Sequence, residues 1–167
     1  MNIKKFNKAQ AALEFLTTYG WAFLVIIIMI GALAYFGILS PSKLLPNRCN
    51  FGSEFGCIDY QIDATANTFK IRLKNGLQQA EIIPAGGITI SSESATPYTC
   101  TLTTPALPFT WTSGTTQDFI WGTCNSAAAG FVPGEKGKVL ISIDYFSTTS
   151  GSTYQRTTKG EVFTTIK

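Results

Sequence analysis

The sequence predicts an α+β protein in which a long N-terminal hydrophobic helix precedes an all-β, sandwich-like head domain. Two observations support this fold class. No charged side chain occurs from Phe15 to Ser42, and after residue 50 short runs of alternating apolar and polar residues replace the continuous apolar stretch. A continuous apolar run of about 20 residues suits a membrane-spanning helix, whereas alternation is typical of half-buried strands. The 167 residues leave room for one domain and an appendage.

Residues 1–9 form a short basic leader. It contains Lys4, Lys5 and Lys8, and the other ten basic residues are balanced by ten acidic ones, so the net charge of +3 belongs to this leader. Lysines on the N-terminal flank of an apolar helix hold that end in the cytoplasm and direct the following part outward. The rest of the chain is neutral and lacks a basic stripe, so no nucleic-acid partner is expected for the head domain.

A hydrophobic helix is predicted over residues 10–40, ending before Pro41, which disfavours helix in the residue that precedes it. Because the helix is apolar around its whole circumference, it must lie in lipid or among other helices. Glu14 is the unusual residue near its start. A carboxylate at the centre of a membrane helix is costly and usually functional, whereas one in the first turn faces the positive end of the helix dipole at little cost.

Residues 41–50 are assigned to a neck linker and residues 51–167 to an extracellular β domain. About seven alternating runs at regular spacing favour a β-sandwich, and the last two are predicted to form a hairpin around the segment STTSGS. The runs are 57–63, 68–76, 87–92, 98–104, 118–124, 138–146 and 153–166.

Four cysteines lie in the part of the chain that the lysine-flanked helix directs outward, namely Cys49, Cys57, Cys100 and Cys124. An even number in an exported domain favours disulfides, with three possible connectivities. Sequence order favours the pairs Cys49 with Cys57 and Cys100 with Cys124. Metal binding is the competing account, but the close Cys-x-x-Cys spacing of common zinc sites is absent.

The residues that serve most enzyme mechanisms are missing from the sequence. The chain has no histidine, no phosphate-binding glycine loop and no nucleophile-elbow motif. Asp59 and Asp63 lie about 13 Å apart if they share a strand, which is too far for a carboxylate pair. Trp111 and Trp121 suit either a core or a sugar-binding platform. We therefore expect no enzymatic activity, cofactor or metal.

The N-terminal segment resembles an archaeal type IV pilin. The basic leader ends in Lys8-Ala9, Gln10 follows, Glu14 comes four residues later, and Phe-Leu and more than twenty apolar residues complete the pattern. The segment QAALEFL matches the Gln-x-x-x-Glu-Phe pattern of the family, and TTYGWAFL is typical of pilins rather than of archaeal flagellins. The resemblance is specific for about the first fifth of the chain, whereas the threonine-rich β domain with an early disulfide is a looser similarity.

The resemblance implies that the leader is a class III signal peptide, which a prepilin peptidase removes at the Ala9-Gln10 bond with Lys8 and Ala9 as recognition residues. The helices of many copies would then form the core of a filament coated by the β domains. Glu14 would compensate the new N-terminal amine of Gln10 in its own or a neighbouring subunit. The expected partners are further copies of the chain, the peptidase, the assembly machinery and, before assembly, the membrane. The expected location is the cell surface, reached from a precursor in the cytoplasmic membrane.

Two alternatives remain open from the sequence. Ala32-Leu33-Ala34 imitates a signal peptidase site, and cleavage there would release a secreted β-sandwich binding protein that begins at Tyr35. The apolar stretch before this site is, however, longer than the roughly 7 to 15 residues usual for a signal peptide. The other alternative is a membrane-tethered minor pilin or adhesin that does not form the bulk filament.

Overall fold

The computed structural model describes residues 6–36 and 45–167, and it describes side chains from Leu13 onward. The chain divides into a helical unit, Met1–Leu45, and a β unit, Pro46–Lys167. One N-terminal apolar helix and a β-rich head built from two sheets confirm the predicted α+β class.

Helix α1 extends over Phe6–Tyr35, 30 residues that contain no proline. It begins four residues before the predicted start at Gln10, because nothing in Phe6 to Ala9 interrupts a helix. The backbone N–H of Phe36 donates to the carbonyl of Ala32 at 3.0 Å, which closes the last described turn. The predicted end of the helix and the first four residues of the predicted neck linker fall on residues 37–44, outside the described part of the chain.

The described part of the β unit contains ten strands and one short 3₁₀ helix at Ser152–Tyr154. The strands are β1 (Arg48–Asn50), β2 (Phe55–Asp63), β3 (Thr68–Asn75), β4 (Glu81–Ile83), β5 (Ile88–Ser91), β6 (Thr101–Thr104), β7 (Phe109–Trp111), β8 (Thr116–Gly122), β9 (Lys136–Ser147) and β10 (Arg156–Thr165).

The strands form two antiparallel sheets. The larger sheet has the order β1-β10-β9-β4-β7, with β5 also pairing with β9, and the smaller sheet has the order β2-β3-β8-β6. Strands β9 and β10 pair over ten residues, from Arg156 opposite Tyr145 to Thr165 opposite Lys136, which confirms the predicted C-terminal hairpin. Each of the seven predicted runs overlaps a strand.

The predicted neck linker, residues 41–50, extends too far towards the C-terminus, because its last three residues form a strand of the β domain. Arg48–Asn50 forms strand β1 and pairs with β10 instead of connecting the two units. Two interactions hold this short strand in the sheet: Cys49 is bonded to Cys57, and Arg48 Nε lies 3.0 Å from a carboxylate oxygen of Glu161. Three residues cannot show an alternating pattern, so these long-range contacts decide where the domain begins.

The core lies between the inner faces of the two sheets, as the alternation predicts. Inward residues Phe69, Ile71 and Leu73 of β3 are at most 2% exposed, and the residues between them are exposed. Strand β9 buries the odd-numbered residues from Val139 to Tyr145 in the same way. Phe55 of the smaller sheet packs against Trp111 and Tyr145 of the larger one, so the inward faces of the two sheets together form one core.

One close approach in the core requires a glycine. The ring of buried Phe51 lies against Gly160 of β10, so a Cβ atom at Gly160 would be only 2.3 Å from a ring carbon of Phe51. Such a distance is far inside van der Waals contact, and any larger residue would force the ring to move. Gly160 therefore allows the segment after β1 to fold back onto the large sheet.

Candidate functional site

The apolar part of helix α1, Leu13–Tyr35, is the first candidate for a functional surface. An 18-residue window within it has a mean hydropathy of 2.1, and no residue of Leu13–Tyr35 is buried within the chain. Large apolar side chains are exposed on all sides, including Trp21 at 68% and Ile27 at 65%. A helix of this length and composition can cross a membrane, so the structure is compatible with a membrane anchor or a signal sequence.

Glu14 lies in the first described turns of this apolar surface and is the only charged residue from Leu13 to Phe36. The nearby threonine hydroxyls are satisfied within the helix: Thr18 Oγ1 donates to the Glu14 carbonyl at 2.7 Å, and Thr17 Oγ1 donates to the Leu13 carbonyl at 3.0 Å. The Glu14 carboxylate has no hydrogen bond or ion pair among the described residues. Of this carboxylate and the two threonine hydroxyls, the carboxylate is therefore the group that lacks a partner in the described part of the chain.

The predicted cleavage site falls within the helix. The backbone of Lys8, Ala9 and Gln10 is helical, but their side chains lie outside the described part of the chain, as do Lys4 and Lys5. The cleavage at Ala9-Gln10 and the pairing of Gln10 with Glu14 remain predictions.

The four cysteines form the two disulfides that sequence order favours. Cys49–Cys57 connects β1 of the larger sheet to β2 of the smaller one, and Cys100–Cys124 joins the segment before β6 to the segment after β8. No free cysteine occurs in the described chain. Metal binding by these residues, the competing account, is therefore wrong for this structure.

The two tryptophans of the β domain are core residues and not a sugar-binding platform. Trp111 is 1% exposed and stacks on Phe55 with ring centroids 4.8 Å apart, and its indole N–H donates to the Thr115 carbonyl at 3.2 Å. Trp121 is 2% exposed and stacks on Phe69 at 5.1 Å. Aromatic residues in an alternating strand suit both roles, and only the inward direction of the side chains decides between them.

The carboxylates of Asp59 and Asp63 each accept a hydrogen bond from the nearby backbone. An Asp59 oxygen accepts from the Tyr60 N–H at 2.8 Å, and an Asp63 oxygen accepts from the Ala66 N–H at 2.7 Å. Both residues lie on β2, as the sequence predicts.

The outer face of the smaller sheet is charged. Asp59, Arg72 and Asp118 are paired in register across β2, β3 and β8, and Arg72 donates two hydrogen bonds to Asp118 at 2.6 and 2.8 Å. The hydrogen bond from Arg72 lowers the pKa of the Asp118 carboxyl and raises that of the guanidinium. Both side chains are about half exposed, so this pair is a solvated surface feature and contributes little to stability.

A cleft at one end of the β domain contains a residue that the sequence analysis missed. Glu81, the first residue of β4, points inward with Ile83 and is only 5% exposed. Burial raises the pKa of its carboxyl, and Arg156 partly offsets this effect. In the sequence, the only indication is that Glu81 alternates with Ile83 in the short run Glu-Ile-Ile. Three residues are too few to define which face of the strand is inward.

A scan against protein-family models finds no match to this chain, and a search of curated proteins finds no significant match.

Proposed function

We propose that the chain is the structural subunit of an extracellular type IV pilus-like filament and polymerises through its N-terminal helix, for adhesion or cell-surface contact. The supporting observation is the contrast between Leu13–Tyr35, which is mainly apolar and has no buried residue, and a β unit that buries its own core. An exposed apolar surface of this size requires lipid before assembly and neighbouring helices afterwards.

Exchange between these two environments is energetically plausible. Moving the helix from lipid into a bundle of helices replaces one apolar environment with another, so packing and polar contacts decide the balance. The helix has small residues at Gly20 and Gly31, where a neighbouring helix can approach closely because a Cβ atom added at either position would meet nothing within 4 Å beyond the adjacent helix backbone. Repeated head-to-tail contacts that do not close into a ring produce an open helical polymer.

We assign to Glu14 the role of favouring the filament over the separate subunit in the membrane. Its carboxylate has no partner in the described chain, and an N-terminal amine created by leader removal would supply one in the apolar core. Leader cleavage and polymerisation are then coupled, because the amine does not exist before cleavage.

The test is a Glu14→Ala variant in a host that contains the prepilin peptidase and the assembly machinery. We expect this variant to be cleaved and inserted in the membrane like the unmodified chain, but to fall at least about tenfold in sheared filaments, as expected when a buried charge loses its partner. The matched control is Thr18→Ala, which removes a hydroxyl that bonds only to the helix backbone. Wild-type amounts of Glu14→Ala filaments would contradict the assigned role.

N-terminal sequencing of the exported protein separates the proposal from its alternatives. A mature chain that begins at Gln10 supports the pilin-like subunit, and one that begins at Tyr35 supports the secreted β-sandwich protein. A chain that retains Met1 indicates a simple membrane anchor.

A further inference from the structure

The cleft around Glu81 lies where the loop before β4 meets the turn of the C-terminal hairpin. Its volume is about 250 Å³, roughly eight times the ~30 Å³ that a water molecule occupies in the liquid. It is lined by Leu77, Gln78, Gln79, Glu81, Ser147, Ser150 and Arg156.

Glu81 is a buried residue whose carboxylate has no protein partner in the described part of the chain. Only 5% of the residue's surface is exposed, and the carboxylate oxygens are not among the fully buried atoms that lack a hydrogen bond, so they open onto the cleft. Buried carboxylates are normally paired, since removing the charge from water is costly. A carboxylate that lacks a protein partner, on a residue that is otherwise buried, is therefore available to a ligand in the cleft.

The second charge of the cleft is also unpaired. Arg156, the first residue of β10, lines the same cleft and forms no hydrogen bond or ion pair shorter than 4 Å with any described residue, including Glu81. The cleft thus combines the carboxylate of a buried residue with the guanidinium of an exposed one, and its other lining side chains are neutral.

The neutral groups are held in place by one another. Gln79 Oε1 accepts from Ser147 Oγ at 2.6 Å and from Thr149 Oγ1 at 2.9 Å. These bonds use both acceptor positions of the amide oxygen and thereby fix the orientation of the Gln79 amide. The NH₂ group of this amide has no protein acceptor among the described residues. The neutral part of the cleft lining is therefore organised and keeps the NH₂ donors of Gln79 available.

The charges decide between classes of ligand. A metal ion would need further ligands, but the described residues contain no group of three or more His, Cys, Asp or Glu side chains, and Arg156 would repel a cation. A simple anion would be repelled by Glu81. A small molecule with a cationic and an anionic group satisfies both charges at once.

We propose that this cleft binds a small zwitterion of the amino-acid class, with its ammonium group on Glu81 and its carboxylate on Arg156. An ammonium group restores to Glu81 the charge compensation that burial removes, and the fork of the Arg156 guanidinium matches a carboxylate. The proposal concerns the β unit alone and holds whether or not the chain polymerises.

The test is isothermal titration calorimetry of the detergent-solubilised full chain with glycine, L-serine and L-glutamine. We expect at least one of them to bind saturably with a Kd of about 1 mM or lower. Methylammonium and acetate each present only one of the two charges, so each should bind at least about tenfold more weakly.

Two variants and two matched controls locate the site. Glu81→Gln and Arg156→Gln should each weaken binding at least about tenfold, because each removes one charge-assisted contact. Glu135→Gln and Lys159→Gln change exposed charges of the same types outside the cleft and should leave the Kd within about twofold. Near-UV circular dichroism of each variant confirms that the core remains folded.

Three results would overturn the proposal. The first is that none of the amino acids binds at concentrations up to about 50 mM. The second is that Glu81→Gln binds them as well as the unmodified chain. The third is that methylammonium alone, or the neutral methyl α-D-glucopyranoside, binds as tightly as the best amino acid.

Discussion

The helix and the β domain place the same residue types in opposite environments. Ile30 of the helix is 54% exposed, whereas Ile141 of β9 is 2% exposed. Burying such a side chain stabilises a protein by about 1.5 to 3 kcal/mol. The β domain gains this free energy within its own fold, while the helix gains it only from surroundings outside the chain. The difference separates a unit that completes its own core from a segment that depends on lipid or partners.

Each region also contains one carboxylate in an unusual position. Glu14 is exposed on an apolar helix, and Glu81 is buried in a sandwich of mainly apolar residues. Neither has a partner among the described residues. The proposed partners differ in origin: an N-terminal amine for Glu14, and the ammonium group of a small ligand for Glu81.

The largest expected difference between the two regions concerns tryptophan. Trp111→Ala should lower the free energy of unfolding of the β domain by about 3 to 5 kcal/mol, because it leaves a cavity beside Phe55. Trp21→Ala removes an exposed side chain of the helix and should change that value by less than about 0.5 kcal/mol. Urea unfolding of the solubilised chain, followed by near-UV circular dichroism, measures both. Equal losses would mean that the helix contributes to the stability of the β domain.

The disulfides should stabilise the β domain and leave the helix unchanged. In the loop-entropy model, replacing Cys100 and Cys124 with alanine costs about 3.5 kcal/mol, and replacing Cys49 and Cys57 costs about 2.5 kcal/mol, since the second pair closes the shorter loop. Unfolding of the two double variants gives the order. The helical signal in far-UV circular dichroism should persist in both double variants. A larger loss of stability for the Cys49/Cys57 variant would show that strain or residual structure outweighs loop length.

The smallest effect concerns the pH dependence of Glu81. Burial raises the pKa of its carboxyl in the folded state, so its contribution to stability is complete below the unfolded pKa of about 4.3 and is lost as pH rises through the folded pKa. Glu81→Gln should therefore gain stability relative to the unmodified chain between pH 4 and pH 7. Unfolding of both proteins at the two pH values tests this. Glu135→Gln, an exposed control, should show no such gain, and a pH-independent difference for Glu81→Gln would contradict the prediction.

The sequence predicted the longer elements well and the short ones poorly. The alternation in Thr68–Asn75 and Lys136–Ser147 located both strands and their inward residues, because a buried face repeats every second residue. Strands β1, β4 and β7 have three residues each, which is too short for that repeat. Their positions follow from pairing with strands far along the chain.

The candidate sites divide in the same way. Three features can be recognised in the sequence, because each depends on neighbouring residues or on residue order. They are the apolar length of the helix, the isolated charge of Glu14 and the favoured cysteine pairs. The burial of Trp111 and Trp121 and the meeting of Glu81 with Arg156 involve residues from different strands, and no local pattern contains that information.

The sequence by itself therefore determined that an apolar helix precedes a β-rich head with two disulfides, because hydrophobic periodicity and residue order are local properties. The tertiary structure alone decided that the domain begins before Cys49, that the tryptophans form the core and that one carboxylate is buried in a cleft. The physical reason is that burial and charge pairing depend on which strands become neighbours, and antiparallel pairing joins residues as distant as Glu81 and Ser147.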